Sequence, residues 1–178
     1  MNNIKIVIVN GRPGSGKTTF EECCRSILGP LCRIRSTIDK IKDIAYRAGW
    51  NGEKTPEARK MLSDLKDLFT KFNDLPYRDI ISHIGYYEAE LADYGVFHEH
   101  ALFFVDSREP EEIERFKQTL DAKTLLIRRA AVEDAEFSNH ADANVNNYNY
   151  DYIIDNNGTI DDLLKEAQRF IDLIFSEN

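Results

Sequence analysis

The sequence of 178 residues predicts a single α/β domain in three layers, a five-stranded parallel sheet with helices on both faces. Three observations predict it. Short β-branched apolar runs alternate along the chain with segments whose apolar residues recur every three or four positions. The first run, Ile4 to Val9, ends directly at a glycine-rich loop, as a strand buried on both faces of a parallel sheet does. Finally, chemistry-bearing polar residues follow the ends of the strands, where ligands bind in open parallel sheets.

Each element has its own signal. Lys17 to about Leu28 suits a helix that Gly29-Pro30 stops, and a short strand follows at Cys32 to Arg35. Ser36 is a plausible cap for a helix carrying Ile38, Ile41, Ile44 and Ala45 and ending near Gly49. After the Trp50-Asn51-Gly52 loop, Thr55-Pro56-Glu57 starts a helix with Met61, Leu62, Leu65, Leu68, Phe69 and Phe72 at helical spacing. Asn73 to Pro76 breaks it, and a further helix from about Tyr77 to Asp93 buries Ile80, Ile81, Ile84, Tyr87 and Leu91. Residues 37–94 therefore form a largely helical insertion between two strands. Ala101 to Val105 is the third strand, and Pro110 opens a helix burying Ile113, Phe116 and Leu120. Thr124 to Ile127 is the fourth strand. From 130 to 149 the apolar periodicity disappears, which predicts a surface loop or lid. Tyr152 to Ile154 is the fifth strand, and Thr159 caps a last helix carrying Ile160, Leu163, Leu164, Ala167, Phe170, Ile171 and Ile174.

The loop Gly11-Arg12-Pro13-Gly14-Ser15-Gly16-Lys17-Thr18 matches the phosphate-binding pattern G-x-x-x-x-G-K-[ST] at every fixed position. Its glycines let the backbone curl around an anion, so that amides and a helix N-terminus point at the same phosphates. In that arrangement Lys17 reaches the terminal phosphates of a nucleoside triphosphate and Thr18 places a hydroxyl on Mg²⁺. The pattern lies in the strand, loop, helix context that such a site requires.

Composition narrows the partners. A formal net charge of −8 argues against a general nucleic-acid binder. Yet ten Lys or Arg face six Asp or Glu between Leu31 and Lys71, a local excess able to hold an anionic small molecule. The N-terminal residues lack the pattern of a signal peptide and no apolar run reaches the length of a membrane span, so a soluble, cytoplasmic protein is expected. Cys23, Cys24 and Cys32 have neither zinc-ligand nor redox-pair spacing and read as reduced structural thiols. His98-Glu99-His100 has no further ligand at metal spacing and reads as a turn before the third strand. Trp50 either plugs a core edge or stacks on a base. Oligomeric state has no signature in the sequence.

Phosphoryl transfer needs charge neutralisation and alignment more than covalent chemistry. Asp106, after the third strand, can hold Mg²⁺, orient the attacking oxygen, or merely cap the next helix. Arg108 can fork onto an acceptor phosphate or pair with neighbouring glutamates. Arg128 and Arg129 can bridge donor and acceptor phosphates or be an ordinary basic strand end.

The phosphate-binding loop, the helical insertion, Val105-Asp106-Ser107-Arg108, the basic end of the fourth strand and Ile154-Asp155-Asn156-Asn157-Gly158-Thr159 occur in an order that resembles the P-loop kinases of the nucleoside monophosphate kinase class. More narrowly it is similar to phage-type deoxynucleoside monophosphate kinases and animal phosphomevalonate kinases. The resemblance spans nearly the whole chain, and only the loop is specific as a motif. It implies a three-layer P-loop NTPase fold and a small-molecule kinase that uses ATP and Mg²⁺ on a phosphorylated acceptor, most readily a nucleoside monophosphate. By it, Gly14 to Thr19 hold ATP phosphates, Asp106 serves the metal or the nucleophile, Arg108 grips the acceptor, and Asn157 and Gly158 lie by the adenine. Ser36, Asp39, Lys42, Arg47 and Arg59 fall in the acceptor-binding insertion. Two departures stand out: Asp106-Ser107-Arg108-Glu109-Pro110 replaces the Asp-Gly-Phe-Pro-Arg type of motif, and residues 130–149 contain no Lys or Arg.

Two other readings stay open. One is a kinase of the same fold acting on a non-nucleotide metabolite, and the other an ATP-binding switch with little transfer activity. A GTPase is disfavoured by the lack of an Asn-Lys-x-Asp stretch.

Overall fold

A computed structural model describes residues 4–93, 100–132, 145 and 148–177. Five strands, β1 (Ile4–Asn10), β2 (Cys32–Ser36), β3 (Ala101–Asp106), β4 (Lys123–Arg128) and β5 (Tyr152–Asp155), form one parallel sheet in the order β2-β3-β1-β4-β5. Six α-helices accompany them among the described residues: α1 (Lys17–Leu28), α2 (Asp39–Arg47), α3 (Pro56–Asn73), α4 (Leu75–Asp93), α5 (Pro110–Leu120) and α6 (Ile160–Ser176). The predicted α/β class and strand count hold.

The register aligns the carboxyl ends. Val9 lies beside Asp106, Asn10 beside Leu126, and Arg128 beside Asp155. Each strand alternates its side chains between two faces. On one face Val7, Val9, Leu102, Phe104, Leu125 and Ile127 pack with Phe20, Cys23 and Cys24 of α1 and with Leu163, Ala167, Phe170, Ile171 and Ile174 of α6. Phe20, Phe104 and Phe170 supply the bulk, with ring centroids 5.7–6.4 Å apart. The intervening residues Ile8, Phe103, Val105 and Leu126 are buried toward the opposite face, and α5, whose Ile113 and Phe116 are buried, packs on β1 and β4.

Compact contacts divide the chain into two units, one of residues 1–34 and 96–178 and the other Arg35–Gly95. In the second unit α2, α3 and α4 pack on one another. Thr55 accepts from the Ala58 amide at 3.2 Å and Pro56 opens α3, the predicted start. Asp74, at φ 57°, breaks the chain between α3 and α4. α4 then begins at Leu75, earlier than expected, because a proline in a first helical turn forfeits no intrahelical hydrogen bond.

Several sequence expectations shift. Ser36 does not cap α2: the helix begins at Asp39, whose Oδ2 accepts from the Ser36 amide at 2.8 Å. Ile81 and Leu120 are only half-buried, and Ile160 and Leu164 of α6 are exposed. No residue of α3 is fully buried, although its apolar periodicity is strong. Trp50 rests on Tyr46, ring centroids 4.6 Å apart, and its indole donates to Glu53 O at 3.1 Å. The three cysteines are free and buried, and burial pushes the Cys32 thiol up to about 12 and Cys24 higher still. His100 stacks on Phe175 at 4.4 Å, while His98 and Glu99 lie outside the described residues. So does most of the predicted lid, residues 133–144, 146 and 147. No described helix is long and apolar enough to cross a membrane.

Candidate functional site

The loop from Gly11 to Gly16 leaves β1 at its carboxyl end and turns on a hydrogen bond from the Ser15 amide to Arg12 O at 3.0 Å. It lies so close to β4 that a Cβ on Gly11 would meet Ile127 O at 2.7 Å and Ser15 Oγ at 2.6 Å. Gly16 adopts φ +92°, and a Cβ there would sit 2.1 Å from Asn156 Nδ2. That amide donates to Ser15 O at 2.8 Å, tying the loop to the end of β5. Arg12 is half-buried and donates to Val132 O at 3.5 Å, and Gly14 is exposed at the loop's crest beside Pro13.

The amino end of α1 differs from those of α3 and α6. Thr55 caps α3, and Thr159 with Asp162 forms a capping box on α6. α1 follows Gly16 with no side-chain cap and no acidic residue in its first turn. Its first amides are left for another acceptor, and the helix dipole favours an anion there. Ser15 Oγ is buried without a hydrogen-bond partner, and Thr18 and Thr19 expose hydroxyls in the first turn.

Lys17, the first residue of α1, pairs with Asp106 Oδ2 at the end of β3, and its Nζ lies 3.8 Å from Glu21 Oε2 one turn on. Two carboxyl groups thus share one ammonium. Glu21 is 1% exposed. Burial first, and then the charge of Asp106, pushes its carboxyl well above the usual range, so Glu21 holds a proton where a solvated glutamate would not. Asp106 keeps a second oxygen, Oδ1, buried without a hydrogen-bond partner. Lys17 thus holds one oxygen of the carboxylate, and the other is turned away from solvent.

Asn10 joins three segments beneath the loop. Fully buried at the end of β1, it accepts from the Gly11 amide at 2.8 Å and donates to Arg108 O at 3.2 Å and to Tyr150 Oη at 2.8 Å. The Tyr150 hydroxyl in turn donates to Val145 O at 2.8 Å. The loop, the exit of β3 and the approach to β5 are fixed relative to one another. Arg108 is half-buried just beyond, and Ser107 Oγ donates to Glu112 Oε2 in the first turn of α5.

The ends of β4 and β5 border a shallow cleft of about 390 Å³ lined by Arg128, Ala130, Asp155 and Asn157. Arg128 forks onto Asp155 at 2.6 and 3.0 Å, and that fork holds the Asp155 carboxyl below its usual range. Asn157 Oδ1 accepts from the Ala130 amide at 2.8 Å. Gly158 and Arg129 are exposed nearby in sequence.

The sequence-predicted acceptor residues fall in the other unit. Ser36, Asp39 and Lys42 are joined locally: besides its contact with the Ser36 amide, Asp39 takes Lys42 Nζ at 3.4 Å. Arg47 is exposed in the last turn of α2 and Arg59 in the first turn of α3.

Sequence reasoning missed Asn10, Glu21, Tyr150 and the bond from Asn156 to the loop. Asn10 had a signal, being the polar residue that ends an apolar strand against Gly11. Glu21 had a weaker one, its i,i+4 spacing from Lys17 on the face that also carries Cys24. Tyr150 had none.

A parallel sheet whose first strand enters a G-x-x-x-x-G-K-T loop and a helix defines a P-loop α/β protein. No family model matches the chain, and no curated protein does. Solved structures that it is similar to include the APS kinase of Mycobacterium tuberculosis, 14% identical over 98% of this chain and 99% of that one, with a TM-score of 0.45. Dephospho-CoA kinase from Campylobacter jejuni is 18% identical over 96% and 97%, with a TM-score of 0.47. Shikimate kinase from Bacteroides thetaiotaomicron is 14% identical over 94% and 98%, also with a TM-score of 0.47. Likenesses this remote say nothing of what this chain acts on.

Proposed function

We propose that the protein is a small-molecule kinase that moves the γ-phosphoryl group of ATP to a phosphorylated acceptor, a ribo- or deoxynucleoside monophosphate being the first candidate. The observation that carries this reading is the pairing of Lys17 with Asp106 inside a glycine-lined loop ahead of an uncapped helix. A cation and a carboxylate held together at a phosphate cradle are the parts that phosphoryl transfer requires.

Each residue then has a task. Amides of Gly14, Gly16, Lys17 and Thr18 bind phosphate oxygens, while the Ser15 amide holds the turn and its unpartnered buried hydroxyl faces the same loop. Lys17 exchanges Asp106 for the β- and γ-phosphates. The proton on Glu21 then keeps Asp106 from facing a second bare carboxylate once the ammonium has left. Hard oxygen donors suit Mg²⁺, and the Thr18 hydroxyl and the Asp106 carboxylate, once Lys17 has left it, would hold it. When bound it neutralises charge on the β- and γ-phosphates. In the transfer, an oxygen of the acceptor phosphate forms a bond to the γ-phosphorus while the bond to the β,γ-bridging oxygen breaks and ADP leaves. That acceptor oxygen is already anionic, so Asp106 acts by orientation. Arg108 grips the acceptor phosphate. Ser36, Asp39, Lys42, Arg47 and Arg59 are the acceptor-side candidates, Asn157 and Gly158 the adenine-side ones.

One observation favours the switch reading. Arg128 is tied to Asp155, and no Lys or Arg occurs in 130–149, so Arg129 and a released Arg128 are the only arginines offered to the moving phosphate from that side of the sequence. The test is ADP release from Mg·ATP across ribo- and deoxynucleoside monophosphates, phosphomevalonate and simple alcohols. Acceptor-dependent turnover that Lys17→Ala abolishes supports a kinase, and the responding acceptor names its class. Tight ATP binding with no acceptor-dependent turnover replaces the kinase with a switch.

A further inference from the structure

Part of one apolar face of α3 is uncovered among the described residues. Met61, Leu65, Leu68 and Phe72 follow one another at intervals of four, three and four, the seam spacing of a coiled coil. Leu68 is 58% exposed and Phe72 77%. Met61, Leu65 and Leu68 line an apolar groove of about 440 Å³ rimmed by Glu57, Lys60 and Asp64. The remaining apolar residues of α3, Leu62 and Phe69, are half-buried, and α3 packs on α2 and α4 within its own unit. The helix therefore carries two apolar faces, one packed inside its unit and one that, among the described residues, is left exposed at Leu68 and Phe72. An apolar stripe that ends in two exposed large side chains beside an apolar groove, on a chain this acidic, marks an interaction surface.

We infer that this stripe seats the same stripe of a second copy, α3 against α3 and antiparallel about a two-fold axis. The charges beside the seam select that occupant. Matching the two stripes in opposite directions sets the half-buried Met61 against the exposed Phe72 of the second copy and the half-buried Leu65 against its exposed Leu68, so each exposed residue finds an apolar partner. In that register the flanking Asp64 of each copy faces Lys71 of the other, and the two-fold axis makes the pair twice. A parallel pairing sets like residue against like and leaves Asp64 and Lys71 without an opposite charge across the seam. The bridge that Asp64 now makes to Lys60 on its own helix, 2.6 Å long and largely exposed, is weak enough to be given up. α3 is about 27 Å long at 1.5 Å per residue, so one helix pair falls short of a standard interface and a dissociation constant on the order of micromolar follows.

Sedimentation velocity on the full chain, from about 1 to about 200 μM, tests this across the expected dissociation constant. The wild type is expected to move from 20.5 kDa toward twice that mass as concentration rises. Leu68→Glu should weaken the dimer roughly tenfold or more while leaving Tm within about 2 °C, because the side chain it replaces is mostly exposed. Asp64→Lys and Lys71→Asp should each weaken the dimer several-fold, and the double variant should restore it. A wild type that stays monomeric throughout overturns the proposal and leaves the face to a different partner. A dimer that Leu68→Glu does not weaken, or charge reversals whose effects simply add, also overturns it.

Discussion

Replacing Gly16 with alanine tests the cradle at its tightest point. The residue sits at φ +92°, where an L side chain is strained by about 1–2 kcal/mol, and its new Cβ would stand 2.1 Å from Asn156 Nδ2. Relief requires Asn156 to swing away and forfeit its 2.8 Å bond to Ser15 O, which contributes about 1 kcal/mol. The sum is roughly 2–3 kcal/mol, equivalent to a fall in Tm of roughly 4–12 °C for a chain of this size. Loss of the loop's curvature should also weaken ATP binding at least tenfold, on the order of 1.4 kcal/mol. Thermal unfolding and calorimetric titration with ATP measure both. Asn156→Ala provides the internal control. If Asn156 has already lost its bond in Gly16→Ala, the double variant should be about as stable as Gly16→Ala alone, short of additivity by about 1 kcal/mol. Unchanged Tm and ATP affinity in Gly16→Ala, or strict additivity in the double variant, would refute the geometry assigned to the loop.

Three further outcomes follow from named contacts. Asn10→Ala leaves the Gly11 amide, Arg108 O and the Tyr150 hydroxyl without their buried partner and should cost about 2–4 kcal/mol, read as a lower urea midpoint with little change in m. Asp151→Asn should lower Tm at pH 7 by a few degrees, at a cost of about 1 kcal/mol. Burial pushes this carboxyl up, but Lys117 and Thr124 outweigh burial and hold it below its usual range. Its stabilisation is therefore present above the ordinary Asp value of about 3.9 and is lost as pH falls through the folded value, so wild type and Asp151→Asn should converge near pH 2. Arg108→Ala should raise acceptor KM at least about tenfold with ATP KM nearly unchanged, and equal effects on both would remove Arg108 from the acceptor side.

The sheet was legible because its strands are short apolar runs, each followed by a polar residue that the register places at the same end. The helices were legible wherever one face alone was apolar, as in α5. α3 shows the limit: periodicity identifies a helix and its apolar stripe but does not say how many surfaces that stripe must cover. Six large residues at three- and four-residue spacing span more than one face, and tertiary packing takes only part of them. The same limit governs the site. The loop and Asp106 were readable because pattern and strand end place them, whereas the Asn10–Tyr150 bond joins residues 140 positions apart and left no local trace. Ser36 failed as a helix cap for a local reason. The helix begins only at Asp39, and the Ser36 hydroxyl is engaged ahead of it by the Ile38 amide at 3.5 Å.

Following the label of [γ-³²P]ATP in a single turnover tests the central claim most directly. With Mg²⁺ and the acceptor that stimulates ADP release, the label is expected on the acceptor, in amounts matching the ADP formed, and to remain on ATP in Lys17→Ala. Label released only as inorganic phosphate, or retained on ATP by the wild type with every acceptor, would contradict phosphoryl transfer as the work of this site.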